Sequence, residues 1–366
     1  MKICFLGDAA AHHLRRWAKY FTNKGHEVHV ITFNPNTLDN YGAVKVHIVR
    51  KRMPNPTPIS RLLSLIPLIL DIKSLIRNIG PDLIHSHSAG GYAWMAMLSG
   101  FHPFVITPWG NDILIDIKTS KINKMLTKRA LQKADLIHCD GENLKNAVVK
   151  MGISQQKIII LTFGVDIKKF KRNSGKEDLK VPAKSKVVIS TRTLNPVHNV
   201  ETFIKSIPIV LKNMPDTRFI IVGHGCEQEY LIKLSKSLNI HNTIRFLGEV
   251  EEDEMIKCLQ ASDIYISTSL SESGLAGSTA EAMACELPVI NTDTGDIDLW
   301  IKDGEGGFII PTKNPEILAE KIIYLLRHEN DRIKFGEINR KVIEERNNYY
   351  KEMAKMENIY KELMSK

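Results

Sequence analysis

Short apolar runs alternate with longer amphipathic stretches from one end of the chain to the other. KICFLG (2–7), HEVHVIT (26–32) and VKVHIV (44–49) are apolar and rich in β-branched residues, which predicts buried strands. Between the first two, Leu14, Trp17, Ala18 and Phe21 recur at helical spacing and Gly25 supplies a stop. That pattern predicts a helix over about 13–24. Further strands are predicted at DLIHSH (82–87), PFVITP (103–108), DLIHCD (135–140) and KIIILT (157–162), with helices filling the intervals. Order weakens over 168–186, a polar, charged segment broken by Gly175 and Pro182 that reads as a connection between domains. The alternation then restarts. Strands are predicted at 186–192, 218–223, 243–248, 263–269 and 288–293, helices at 201–214, 227–240, 252–262 and 278–285, and helix again from Pro315 to the end.

Such alternation predicts an α/β protein whose parallel sheets are covered by helices on both faces. Its restart predicts two doubly wound, Rossmann-like domains. They are placed over 1–170 and 171–345, with 346–366 a helix packing back on the first. In such sheets ligands collect at the carboxyl ends of the strands, where strand order reverses. With two such domains, the cleft they share is the expected active site.

A length of 366 residues suits two cores of this kind. Charge separates the halves: residues 1–170 carry 23 Lys and Arg against 11 Asp and Glu, and residues 171–366 carry 27 against 30. The basic half is expected to meet something anionic, unless its lysines serve solubility alone. Nucleic acid is not the expected partner, because no basic motif is studded with aromatics. The five cysteines are mutually remote, so no CxxC metal or redox pattern exists, and a reducing, cytoplasmic setting is expected. The apolar start closes at Asp8, too short for a signal peptide. LLSLIPLIL (62–70) is about half of a membrane span and is interrupted by Pro67. Around it, Arg50, Lys51, Arg52, Arg61, Lys73 and Arg77 give 49–78 two readings. One is an interfacial segment at the inner face of an anionic membrane, the other an ordinary buried helix.

Several strings carry chemistry. SESGLAGSTAEAMA (271–284) reads as a strand end, a small-residue loop and a helix start. Free N–H groups and the helix dipole there suit a diphosphate, Gly274, Ala276 and Gly277 let backbone approach it closely, and Leu275 lies in the same donor-binding loop. Glu281 is placed in the first helical turn. Arg192, at a strand end, offers a guanidinium that pairs bidentately with phosphate oxygens. His198 follows in a loop as a neutral hydrogen-bonding group. VGHGCE (222–227) sets Gly223 and Gly225 in a tight turn after a strand, by itself a weak signal. In the first half His12 and His13 open a helix after a small loop, and His85 and His87 share one face of a strand end. In TPWGNDIL (107–114), Trp109 offers a ring for stacking on a sugar or base, while Asn111 and Asp112 offer hydrogen bonds to hydroxyls.

Taken in register, TRTLNPVHN (191–199), IIVGHGCEQEYL (220–231), TIRFLGEV (243–250) and SDIYISTSLSESGLAGSTAEAMACELPVINTD (262–293) resemble the retaining glycosyltransferases of the GT-B fold, family 4 group. RRWAKYFTNKGHEVHVIT, PDLIHSHS, TPWGNDIL and FGVDIKKF agree, so the likeness covers almost the whole chain. The resemblance implies a nucleotide-sugar donor held by the second half, a UDP-sugar ahead of GDP-mannose, and no metal. It implies an acceptor hydroxyl on a lipid-linked molecule, a polysaccharide or another glycan, met by His12, His13, His87, Trp109, Asn111 and Asp112. Glu281 would reach the ribose, Arg192 the diphosphate, Gly223 the donor, and Phe246 and Leu247 the base. The family's two glutamates are separated by seven residues, whereas Glu272 and Glu281 are separated by eight, and Ser273 occupies the position of the first. Either Glu272 takes that role, or Ser273 with backbone amides does. A family lysine is replaced by His198. Transfer would pass through an oxocarbenium-like state with the acceptor attacking from the leaving-group face. A sugar-nucleotide epimerase on the same fold and a catalytically inactive partner subunit remain open as alternatives.

Overall fold

A computed structural model, which describes residues 1–34, 41–49, 58–172, 182 and 185–365, shows these runs forming two separate parallel sheets. The chain divides into two compact units, 1–163 with 352–366 and 164–351. The first holds strands Lys2–Leu6 (β1), Glu27–Thr32 (β2), Lys45–Ile48 (β3), Leu83–His87 (β4), Phe104–Thr107 (β5), Leu136–Cys139 (β6) and Ile158–Ile160 (β7). Its helices are His12–Asn23 (α1), Pro58–Ile79 (α2), Gly91–Ser99 (α3), Asn111–Leu114 (α4), Asp116–Thr119 (α5), Lys121–Lys133 (α6) and Glu142–Lys150 (α7). Strand order is β3-β2-β1-β4-β5-β6-β7, so it reverses between β1 and β4.

The second unit holds Val187–Ser190 (β8), Arg218–Val222 (β9), Ile244–Gly248 (β10), Ile264–Ser267 (β11), Val289–Thr292 (β12), Lys302–Asp303 (β13) and Gly306–Ile310 (β14). Its helices are Val200–Asn213 (α8), Gln228–Ser237 (α9), Glu252–Gln260 (α10), Gly277–Ala284 (α11), Pro315–Arg327 (α12) and Glu329–Arg346 (α13). The order β10-β9-β8-β11-β12-β14-β13 reverses between β8 and β11. A last helix, Tyr349–Met364 (α14), starts among the residues of the second unit and ends among those of the first. Residues 164–170 belong to the second unit for a physical reason. Gly164 N–H donates to Asn347 Oδ1 (3.0 Å), Val165 exchanges backbone hydrogen bonds with Asn347 and Tyr349, and Phe170 is buried in that unit's core.

Period-two alternation sorts side chains to the two faces of each sheet. In the second sheet Val187, Ile189, Ile220 and Val222 enter one apolar cluster, while Val188, Phe219 and Ile221 enter the other. The first sheet is less even. Cys4, Leu6, Ile84 and Ile137 join an aliphatic cluster, which also buries Ile72, Ile76 and Ile79 of α2. That half of the 49–78 segment is therefore core helix, while Arg50, Lys51 and Arg52 lie outside the described residues. Among the described residues no helix is long and apolar enough to cross a membrane.

The opposite face of the first sheet carries Phe5, His85, His87, Thr107 and His138, packed with Trp17, Phe21 and Tyr360. A directed chain of hydrogen bonds runs through it. His138 Nε2–H donates to the Leu161 carbonyl (2.7 Å), so its Nδ1 accepts from Thr107 Oγ1 (2.9 Å). Thr107 in turn accepts from His85 Nε2 (2.7 Å), which leaves His85 Nδ1 to accept from the Tyr360 hydroxyl. The order works only with neutral rings. Burial supplies them, driving His85 well below the ordinary imidazole range and His138 down to about 4. His85 is thus a satisfied core histidine.

Tyr360→Ala is expected to cost the first unit about 3–5 kcal/mol, by analogy with other large-to-small changes at fully buried aromatics. Tyr360→Phe, which strands the His85 acceptor, is expected to cost about 1–3 kcal/mol. Urea unfolding of the full chain reads both. The depressed His138 pKa makes its contribution complete above about pH 6.5, where the unfolded ring is also neutral, and lost as pH falls toward about 4. Unfolding midpoints taken between those pH values check the sign.

Candidate active site

The loops that leave β8 and β11 flank the point where strand order reverses in the second sheet, which is where such sheets bind ligands. Arg192 leaves β8 two residues after its last strand position and is only 9% exposed. Its Nη1 donates to Ser278 Oγ (2.9 Å), and its Nη2 donates to His198 Nδ1 (2.8 Å) and to Glu272 Oε1. Its Nε–H is buried without a partner among the described residues. A guanidinium can only donate, so His198 Nδ1 is an acceptor and the ring proton sits on Nε2. Burial, and then the charge of Arg192, push the His198 pKa down to about 3. His198 is therefore a neutral ring with a single N–H to give.

Ser278 stands in the first turn of α11, a helix whose N-cap Ala276 gives no side-chain cap. Backbone N–H groups of that turn are thus left for other acceptors. Tyr265, fully buried on β11, donates its hydroxyl to Ser278 Oγ (2.8 Å) and so orients the serine that holds Arg192. Neither residue is among the sequence-predicted site residues. A tyrosine in an otherwise aliphatic buried strand is the signal that could have marked the first. Gly295 is a third addition: its φ is +66°, and a Cβ there would lie 2.6 Å from Gly274 O and 2.8 Å from Glu272 Cβ. Its bare backbone lets the 272–276 loop settle.

Other predicted positions divide by role. Ser273, Gly277 and Glu281 are half-buried around the same loop and helix, whereas Gly274, Leu275 and Ala276 are buried. Because α11 begins at Gly277, Glu281 lies in its second turn, not the first, out of the short range over which the dipole acts. Gly223 and Gly225 are needed by packing between loops. A Cβ at Gly223 (φ +143°) would sit 2.4 Å from Arg192 O, and one at Gly225 would sit 2.3 Å from Leu194 O. Phe246 and Leu247 close β10 half-buried, one against each apolar cluster.

In the first unit the predicted residues gather at that sheet's own reversal, between β1 and β4. His87 ends β4, fully buried, with both ring nitrogens unpartnered among the described residues. The rings of Phe5, Trp17 and His85 surround it. His13 stacks on Phe163 at 4.9 Å and meets Trp109 edge-on, while His12 is exposed. Burial, then the charges of Arg16 and His12, lower the His13 pKa to about 3. Asp112, expected to face hydroxyls, instead accepts from the backbone N–H groups of Ala89 (2.6 Å) and Trp109 (3.0 Å). Burial raises its pKa to about 6 against those bonds. Asn111 is exposed, and the buried Trp109 Nε1 lacks a partner among the described residues.

Comparison with known proteins places this geometry. The sequence model of the glycosyl transferases group 1 family matches residues 171–342, and that of the glycosyl transferase 4-like family matches residues 2–141. An uncharacterised glycosyltransferase of Methanocaldococcus jannaschii is 27% identical over 245 residues, covering 66% of this chain and 62% of that protein, under two thirds of its length. The N-acetylgalactosamine-N,N'-diacetylbacillosaminyl-diphospho-undecaprenol 4-alpha-N-acetylgalactosaminyltransferase of Campylobacter jejuni is 26% identical over 318 residues, 84% of each chain. Among solved structures, Anabaena HepE in complex with UDP-glucose superposes with a TM-score of 0.84 at 19% identity, over 99% of this chain and 100% of that one. At that identity the likeness is one of fold.

Gly223→Ala is expected to lower stability of the second unit by roughly 1–3 kcal/mol, since it combines a disfavoured φ with a clash against backbone. Gly248→Ala, with φ +71° but open space around the Cβ, is expected to cost only about 1–2 kcal/mol. Denaturant midpoints of the two variants, compared with the parent, measure the difference.

Proposed function

Because the chain belongs to the group 1 glycosyltransferases of the GT-B fold, and so to the enzymes that transfer sugar residues, we propose that it moves a hexose or N-acetylhexosamine from a UDP-sugar to a hydroxyl of a lipid-linked glycan. The observation that carries this reading is the convergence of Arg192 and the uncapped N-terminus of α11 at the reversal of the second sheet. A pyrophosphate needs what gathers there: one permanent cation, backbone N–H donors and neutral hydrogen bonds. UDP is favoured as the carrier because HepE, of the same fold, was solved with UDP-glucose. A lipid-linked acceptor is favoured because the Campylobacter relative is named for one.

In the proposed reaction the bond between the sugar's anomeric carbon and the β-phosphate oxygen breaks, and the acceptor oxygen forms a new bond to that carbon on the same face. The acceptor proton passes to the departing phosphate. Arg192 meets the charge of the leaving UDP. Neutral His198 adds a hydrogen bond through Nε2–H, without a second positive charge. Glu281 contacts the ribose, and Glu272, or Ser273 with backbone amides, meets the donor sugar. With Arg192 and the helix N-terminus supplying the electrostatics, a metal ion is not part of the proposed chemistry. His87, His13 and Trp109 stand on the acceptor side, and transfer takes place at the cytoplasmic face of a membrane.

UDP is expected to raise the thermal midpoint, by an amount equivalent to about 2.7 kcal/mol at one hundred times its Kd. Arg192→Ala should remove most of that shift and lower kcat/KM by about 10²–10³-fold. A protein that ignores UDP while responding to another nucleotide would redirect the donor assignment. An inverted anomeric configuration in the product, read by NMR, would refute same-face transfer.

A further inference from the structure

We propose that α6 is a membrane-docking element that seats the first unit on an anionic phospholipid surface. Thr127, Ala130 and Leu131 are buried and form the face that packs against the rest of the unit. At roughly 100° per residue, Ile122 and Met125 point the opposite way. They are 65% and 46% exposed. A single exposed aliphatic residue is ordinary, but these two share one outward face on which every charged residue of the helix is a cation and Gln132 is the uncharged polar neighbour. Lys121 and Lys128 flank them on one side, Arg129 and Lys133 on the other, and the helix contains no acidic residue. An apolar stripe bordered by lysine and arginine is the arrangement of a helix lying in a bilayer interface. The aliphatic groups enter the headgroup boundary, and the long cationic stems reach back to the phosphates.

The surface continues beyond the helix. Met97, Leu98 and Phe101, at the end of α3, line an open groove with Arg129 and Lys133, and Leu98 is itself 43% exposed. Charge complementarity selects the occupant. Residues 1–170, with 23 cations against 11 anions, suit a negatively charged face. Nucleic acid would ask for exposed rings on which bases stack, and the large apolar residues exposed here, Leu98, Ile122 and Met125, are aliphatic.

Docking and sugar transfer are separable, since the first rests on α6 and the second on the loops around Arg192. The test is co-sedimentation of the full chain with vesicles of phosphatidylglycerol and phosphatidylcholine, against vesicles of phosphatidylcholine alone. Binding to the anionic vesicles should be at least about tenfold tighter and should weaken as salt is raised. I122D/M125D should lower it by about tenfold or more, with the thermal midpoint and its response to UDP unchanged because both positions are exposed. K121E/K124E/K128E should lower it and flatten the salt dependence. Undiminished binding by I122D/M125D, equal binding to the two vesicle types, or tighter binding to a single-stranded RNA probe than to anionic vesicles would each overturn the proposal.

Discussion

A guanidinium almost out of water is stable only where its charge is countered and most of its N–H groups are bonded. Arg192 stands in that position, and the geometry of the second unit's site follows from it. Ser278 fixes one arm, Tyr265 fixes Ser278, and Gly223 lets the neighbouring loop lie against the arginine's own carbonyl. In the free protein Glu272 supplies the counter-charge. Under the proposed reading an incoming pyrophosphate would offer the same complement of negative oxygens, and Glu272 would be what it displaces from the arginine. His198 sharpens the arrangement. Held neutral, it adds hydrogen bonding beside Arg192 without a second fixed cation.

The first unit solves a different problem. Its aromatic and histidine face is polar by composition but carries little charge, because burial keeps His13, His85, His87 and His138 neutral. Three of these rings are accounted for: His85 and His138 share the directed chain through Thr107, and His13 stacks on Phe163. Of the four, His87 keeps two ring nitrogens, at a strand end, without a partner among the described residues. A buried polar group without a partner is costly, which sets His87 apart from the other three.

Much of the fold was legible because it rests on local periodicity. Apolar runs marked the strands from β1 to β12 within a few residues, and helix spacing marked α1 and α8. β13 and β14 escaped because Gly306 and Gly307 weaken the strand signal, although Phe308, Ile309 and Ile310 carry it. Gly307 is there because a Cβ would lie 1.8 Å from Val289 O on the neighbouring strand, a requirement that only the assembled sheet reveals. The site followed the same division. Arg192, His198 and Glu272, predicted from the chain, do converge, while Tyr265 and Ser278 show their role only through a contact between residues thirteen apart. Asp112 was misread because backbone N–H groups as its partners leave no trace in the sequence. The role of Tyr360 depends on a histidine 275 residues earlier, a separation no local pattern spans.

That last separation bears on how the protein is made. The first unit is assembled from two stretches, 1–163 and 352–366, with the whole of the second unit between them. On the ribosome the early stretch emerges long before the helix that carries Tyr360. At ~5–20 residues per second the wait is on the order of ten seconds or more. Throughout it, Phe21 and His85 face solvent where Tyr360 will later stack and donate. The nascent first unit is therefore an unfinished fold with an open aromatic seam. The second unit is continuous in sequence, whereas the first is complete only once 352–366 has joined it.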